Sequence, residues 1–525
     1  MAARMGARRA ARSGRMSKTQ YCIIGGGTAG WLSALILQEA ARRSALDIDI
    51  TVIESSTIPT IGVGEGTTAV FRGLLLQLGF DEFEFLRETG ATIKYGIKHQ
   101  DWRRLGHSYF GPIDDPLKMV GTPPGVTSSW LNQYCVGAGR AVSEPHLFSQ
   151  LMRRNRAPFA IRANKTRLPV GPFHHAYHFD QAKVGAYFKQ KAKGIGLIDA
   201  LVVGAETDPD SGDIVSLKLD GAQDIAVDFI IDCTGFKRAL IGDVMGARWV
   251  SFDDKLPVNR AIPFWLEHPE TGEIPTYTLA RAMKAGWMWQ IPTQDRLGCG
   301  YVYSDKFLSP KQAQAEVEAV LGHSIIPRAD IPIDAGRLDR AWIGNCLSTG
   351  LAQSFFEPLE ATSIHGTIVQ MMMFTQFHMR AKGADRATHQ ATYNNNVARQ
   401  ADDFCTFINM HYVSERDDTD FWRYVRTNCI SKEVRQLLKV WSDHLPRNDD
   451  FAPFPGGLAH VEDQLYYPVL DGLGLLDRAL AKQEIGQNPK LRIHARKTTE
   501  KLVKEYKRVA AMACGHRSFL ESLRE

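Results

Sequence analysis

The stretch Tyr21-Cys22-Ile23-Ile24-Gly25-Gly26-Gly27-Thr28-Ala29-Gly30-Trp31, running on into Leu32-Ser33-Ala34-Leu35-Ile36-Leu37, decides the fold. An apolar run, a glycine turn and a second apolar run read as strand, turn and helix. Glycines belong at such a turn because the backbone must bend tightly and let a pyrophosphate approach the helix N-terminus. Further out, Ile48-Asp49-Ile50-Thr51-Val52-Ile53 reads as a second strand that ends in Glu54. An acid about 20 residues past the glycines can accept hydrogen bonds from a ribose hydroxyl. Gly25, Gly27, Thr28, Ala29, Gly30 and Glu54 are therefore the expected dinucleotide contacts of an α/β, Rossmann-like domain with mixed sheets.

NAD and FAD share this fingerprint, so the choice rests on the rest of the chain. Val227-Asp228-Phe229-Ile230-Ile231-Asp232-Cys233-Thr234-Gly235-Phe236 resembles the second strand of large FAD-binding oxidoreductases. Between the two strands, Asp208-Pro209-Asp210-Ser211-Gly212-Asp213 separates apolar alternations and reads as a hairpin turn. No second GxGxxG follows a strand, which points to FAD bound without a dedicated nicotinamide domain.

Three further segments resemble one family. Gly286-Trp287-Met288-Trp289-Gln290-Ile291-Pro292 is similar to the WxWxIP signature of flavin-dependent halogenases. The glycine turn with Trp31 resembles the form found in their tryptophan halogenase branch, and Glu357-Pro358-Leu359-Glu360-Ala361-Thr362-Ser363-Ile364 resembles that branch's PLEST-G-I segment. Shorter matches are Ile61-Gly62-Val63-Gly64-Glu65-Gly66, Ala91-Thr92-Ile93-Lys94, Tyr177-His178-Phe179-Asp180 and Arg416-Asp417-Asp418-Thr419-Asp420-Phe421-Trp422. The likeness runs from about Tyr21 to about Trp422, with a weaker trace to Gly474.

The resemblance implies a two-component enzyme. FAD, supplied as FADH2 by a separate flavin reductase, would work with O2 and chloride or bromide to make hypohalous acid. The electrophilic halogen would pass to an electron-rich ring such as indole, an indole derivative or tryptophan. Lys94 matches the catalytic lysine, and an ammonium on a flexible stem can hold hypohalous acid or form a haloamine once deprotonated. Lys98, expected one helical turn later, is its competitor. Glu360 matches the catalytic glutamate, placed to orient the oxidant and take the ring proton, with Glu357 as the competing acid. Leu359 would touch the cofactor. Thr362 and Ser363 would turn backbone N–H groups to the halide, although Ser363 stands where the branch has glycine and would be strained at positive φ. Trp287, Trp289 and Pro292 would wall the flavin from the substrate.

Composition bounds the rest. The chain has 525 residues, 44% hydrophobic and 23% charged, enough apolar content to bury a core and exclude wholesale disorder. Five of its surplus positive charges are arginines in the first sixteen residues, so 1–17 is expected to be a disordered basic leader; no nucleic-acid partner follows from a body without basic bias. No apolar run reaches the ~18 residues of a spanning helix, so no membrane partner is expected. Eight scattered cysteines without a CxxC fit a reducing, cytoplasmic setting. His174, His175 and His178 lack a companion ligand set, so no metal site is expected, and no GxSxG elbow supports a hydrolase.

Residues 18–375 are read as a discontinuous FAD-binding domain, and 376–525 as a mainly helical C-terminal module covering the substrate site. Tyr466 and Tyr467 are candidate ring contacts there, as is the segment His107-Ser108-Tyr109-Phe110 earlier in the chain. Residues 446–474 do not match the usual pattern for holding the amino and carboxylate groups of free tryptophan. A homodimer is an open assembly. The alternatives are an FAD-dependent aromatic monooxygenase (hydroxylase) and a catalytically silent flavin-binding protein. Lys94 together with Glu360 argues against the silent one.

Overall fold

The structure, a computed structural model, describes residues 18–58, 64–117, 127–171, 174–381, 383 and 385–524. The basic leader and Ile61-Gly62-Val63 lie outside the described residues. The opening motif folds as the apolar pattern requires. Strand β1 (Thr19–Ile24) enters the glycine turn, helix α1 (Thr28–Arg43) leaves it, and β2 (Ile48–Glu54) returns parallel to β1. Residues 196–199 pair with the outer edge of β2, and 229–232, 346–348 and 342–343 continue on the other side of β1, completing six strands. Ile23, Val52 and Ile231 are buried on this sheet, under Leu32, Leu35 and Ile36 of α1.

A second, three-stranded sheet is small and holds Lys94. Strand β3 (Glu65–Gly66) and β4 (Thr92–Lys94) both pair with residues 176–179, antiparallel. The chain then turns at Gly96 into β5 (Gly96–Gln100), an inner strand of a seven-stranded sheet. A Cβ at Gly96 would lie 2.1 Å from the Gly111 carbonyl oxygen, so only glycine permits this crossing. Lys94 and Lys98 therefore lie on different strands of different sheets, not one helical turn apart. Lys94 is 2% exposed, whereas Lys98 is half-buried with its ammonium 6.0 Å from the Tyr277 ring centroid.

The large sheet also holds β6 (Gly286–Pro292) and β7 (Leu297–Tyr303), antiparallel partners in which Trp289 faces Gly300. The residue opposite a large indole must be small. A Cβ at Gly300 would fall 2.1 Å from the Trp289 ring. Beyond the sheets come α2 (Thr362–Met373), the 26-residue α3 (Asp385–Met410) and a run of shorter helices. The hairpin expected around Asp208–Asp213 is present, joining strands 202–207 and 214–219.

Gly300→Ala should destabilise the protein by about 1–3 kcal/mol, the usual cost of overpacking, because the Trp289 ring has nowhere to retreat. Denaturant melts of the two proteins measure this; an unchanged midpoint would mean the indole can move.

Candidate active site

The glycines of the first turn do different jobs. A Cβ at Gly25 (φ +109°) would lie 2.4 Å from the Cys233 carbonyl oxygen, and one at Gly30 would lie 1.9 Å from that of Gly25. One at Gly26 would fall 1.5 Å from the Glu54 carboxylate. Those three serve chain packing. Gly27 alone faces open space, with nothing within 4 Å of a Cβ, at the N-cap of α1. Beside it the Thr28 hydroxyl is buried without a hydrogen-bond partner. A cradle open at a helix N-terminus, with an unpartnered hydroxyl, fits the pyrophosphate of a dinucleotide. Ala29 is met by the turn Gly350–Ala352, since Gly350 (φ +63°) brings its backbone to where a Cβ would be 2.7 Å from the Ala29 methyl.

Glu54 ends β2 beside this turn, where its carboxylate takes the Trp31 indole N–H at 3.3 Å and an ion pair from Lys189. Asp232, missed in the sequence, is wholly buried and accepts from the Thr234 N–H and hydroxyl and from the Leu240 and Ile241 N–H groups, at 2.7–2.9 Å. Its only signal was an acid closing an apolar strand before Thr-Gly.

The second half of the site surrounds Lys94. Its ammonium donates to the Thr67 carbonyl at 3.0 Å, and Gly66 makes room for it: a Cβ there would be 2.8 Å from the nitrogen. Burial lowers Lys94 to about 8, and the nearby Glu360 carboxylate pulls it back up. Glu360 precedes α2. Burial works to raise its pKa, but the imidazoles of His411 and His99 outweigh it and hold the carboxyl well below its ordinary range. His411 Nε2 is 2.9 Å and His99 Nε2 3.5 Å from Glu360 Oε1. Burial holds His99 down at about 4. Neither histidine was singled out in the sequence. His99 alternates with Lys98 on β5, and His411 follows the last turn of α3; only packing brings them together.

Glu357 does something else. It is wholly buried, and one oxygen accepts from the Trp287 indole N–H at 2.8 Å and the Tyr412 hydroxyl at 2.6 Å. Trp287 and Trp289 lie at 6.2 Å between ring centroids and 61° between planes, both buried. Leu359 is buried in the same apolar cluster as the two indoles. Pro292 ends their strand, and its carbonyl takes the Thr92 hydroxyl at 2.6 Å, tying β6 to the lysine strand.

Thr362 and Ser363 open α2, and no side chain caps it, which leaves their N–H groups for an anion. The positive φ in this segment falls on Ala361 (+54°), the N-cap, so Ser363 is helical and the strain expected there is absent.

Three secondary candidates fare differently. Tyr466 and Tyr467 are core residues, the first packed on Phe407 and Phe451, the second donating to the Pro446 carbonyl. Tyr109 stacks on His99 at 4.6 Å and 13°, while Phe110 meets Tyr277 edge-on. His175 and His178 pair separately, with Glu82 at 2.6 Å and with the Thr278 hydroxyl at 2.9 Å.

Residues 20–479 match the family model for tryptophan halogenase. The chain is 30% identical to the tryptophan 6-halogenase SttH of Streptomyces toxytricini, over 93% of this chain and 97% of that one. It is 29% identical to the tryptophan 7-halogenase RebH of Lentzea aerocolonigenes, over 89% and 91%. Among solved structures it superposes on Tar14, a tryptophan C-6 flavin-dependent chlorinase of taromycin biosynthesis, with a TM-score of 0.86 at 26% identity, covering 97% and 100%. BrvH, a flavin-dependent halogenase from Brevundimonas sp. BAL3, gives 0.79 at 27% identity, covering 97% and 100%.

The buried Glu357 makes stability depend on pH. Burial pushes its carboxyl from 4.5 to about 7, against the pull of its two donors. Between those values the folded protein keeps a proton that the unfolded chain has lost. Stability attributable to Glu357 therefore falls as pH rises through that window, by up to about 3 kcal/mol. Glu357→Gln should remove this slope while keeping an acceptor for Trp287 and Tyr412. Denaturant melts at pH 5 and pH 8 test it; an identical slope in both proteins would assign the pH dependence to other groups.

Proposed function

Because the chain belongs to the tryptophan halogenase family, we propose that Lys94 presents an electrophilic halogen to an indole-type ring and Glu360 takes the displaced ring proton. The chain is a flavin-dependent halogenase, and the family's two-component organisation takes reduced flavin from a separate reductase. The observation that carries the residue roles is the placement of a buried ammonium and a part-buried carboxylate close enough for one charge to shift the other.

The cradle at Gly27 and Thr28 would hold the FAD pyrophosphate, with Leu359 and the turn at Gly350 on the path from it to Glu360. When bound as FADH2, the flavin supplies, with O2 and chloride or bromide, the oxidising power that makes hypohalous acid. The chain's own residues do the rest. The Thr362 and Ser363 N–H groups at the start of α2 seat the halide. Trp287, fixed by Glu357, and Trp289, seated over Gly300, form a wall that keeps the ring from the flavin. Lys94 has one donor direction committed to Thr67, and its lowered pKa gives it a share of neutral amine near neutral pH, so it can hydrogen-bond or accept the halogen. Glu360, kept ionised by two imidazoles, is free to receive the proton as the ring rearomatises.

The ring is indole or a derivative. The named relatives SttH and RebH act on tryptophan at C-6 and C-7. Because residues 446–474 do not match the pattern that holds the amino and carboxylate groups of free tryptophan, the indole part rather than the amino acid part is the better supported substrate. Neither the hydroxylase nor the silent flavin-binder is favoured, since the family model and relatives such as SttH and RebH are halogenases. Among the described residues no helix is long and apolar enough to cross a membrane, and the proposed location is the cytoplasm.

Lys94→Ala should abolish ring halogenation while FAD binding and the oxygen-dependent reoxidation of FADH2 persist, because those depend on Gly25–Gly30. Holding reactants in register can be worth about 7–11 kcal/mol, so little activity should remain. Flavin absorbance follows the first property, and product mass the second. A variant that keeps most of its halogenation would refute the lysine assignment.

Supplied with FADH2 by a reductase and with bromide, the protein should turn over indole with a higher kcat/KM than tryptophan. The zwitterion would lack buried partners, and unpaired charge is costly to bury. The reverse order would show that residues 446–474 hold the amino acid after all.

A further inference from the structure

One ligand atom from each of His99, His411 and Glu360 lies within 4.8 Å of the others, two from buried imidazoles and one from the carboxylate ahead of α2. We propose that these three groups form a binding site for a divalent first-row metal ion of the zinc type, and that its occupation switches halogenation off.

The geometry points to a shared centre rather than to hydrogen bonds among the three. His411 Nδ1 is 2.9 Å from the Phe407 carbonyl. A carbonyl only accepts, so Nδ1 carries a proton, and Nε2 is the His411 atom left to bind a metal ion, which displaces any proton there. Donation of the second ring N–H to a backbone carbonyl is the usual support of a metal-bound imidazole. His411 Nε2 comes within 2.9 Å of Glu360 Oε1, yet outside hydrogen-bond alignment, so the nitrogen has no partner. Zinc takes nitrogen at about 2.1 Å and oxygen at about 2.0 Å, and two such ligands at roughly a right angle stand about 2.9 Å apart. The 3.5 Å from His99 Nε2 to the same oxygen suits the wider, near-tetrahedral angle.

His99 strengthens the case. It is 1% exposed and neither of its ring nitrogens has a hydrogen-bond partner. Stacking on Tyr109 fixes the ring plane, and the His99 and His411 centroids are 5.1 Å apart. Two imidazoles and one carboxylate are the protein ligands of several catalytic zinc sites, which leave a further position open. An ion here would neutralise Glu360 and occupy the space through which the ring proton leaves. That second statement rests on the catalytic role proposed for Glu360; the first does not.

The test uses the full chain, Co2+ as a spectroscopic probe and Zn2+ for affinity. Wild-type protein should give the intense visible absorption of four- or five-coordinate Co2+, displaced by Zn2+. His99→Gln and His411→Gln should each weaken Zn2+ binding at least about 10-fold in calorimetry. His460→Gln, at a histidine outside the cluster, should leave it unchanged, and thermal melts establish that each variant is folded. Absence of the Co2+ absorption at millimolar Co2+ would overturn the site, as would binding that survives both substitutions. Zn2+ should also suppress halogenation, and a chelator should restore it. Binding without suppression would overturn the switch and the role of Glu360 while leaving the site.

Discussion

A positive charge kept out of water is the condition around which the rest of this protein is arranged. An ammonium 2% exposed is costly to bury, and the fold meets that cost with one carbonyl, Thr67, and one carboxylate, Glu360. Everything that supplies those two groups is constrained in turn. The small sheet brings β3 alongside so that Thr67 can reach the lysine, and residue 66 must lack a side chain where the ammonium passes. Glu360 needs its own support, which comes from strand β5 on one side and the end of α3 on the other.

The acids of this site show how burial divides similar residues between tasks. Glu357 and Glu360 are three positions apart and both are enclosed, yet their environments push them in opposite directions. Glu357 meets an indole N–H and a phenol, neutral donors that do not repay the loss of hydration, and its carboxyl rises. Glu360 meets imidazoles and lies near an ammonium, and it stays ionised. One clasps the Trp287 indole, and the other keeps its charge near the lysine.

Much of this was legible in the sequence, and the illegible part has a common cause. The strand–turn–helix entry was readable because its signals are local: apolar period, glycines and a terminal acid. Lys94 and Glu360 were singled out by the short motifs around them, and the fold brings the two charges near each other. Spacing alone could not separate Glu357 from Glu360, because the difference lies in Trp287 and Tyr412, far away along the chain. His99 and His411 were invisible for the same reason, each looking like an ordinary residue of its own segment. Lys98 was misplaced because a turn at Gly96, not a helix, follows the lysine. The concern over Ser363 assumed the wrong residue for the left-handed turn, which Ala361 adopts.

The bond from the Thr92 hydroxyl to the Pro292 carbonyl joins the strand of the indole wall to the strand of the lysine. Because it is buried, parting the two strands would leave polar groups unpaired, at about 1–3 kcal/mol. Wall and lysine thus behave as two jaws of a fixed caliper. With the roles proposed above, a thicker or more substituted ring is not admitted by spreading them and finds its room on the helical side, by His411 and the start of α2. Variation in substrate size among such enzymes would then be written in the helices, while the jaws keep one setting.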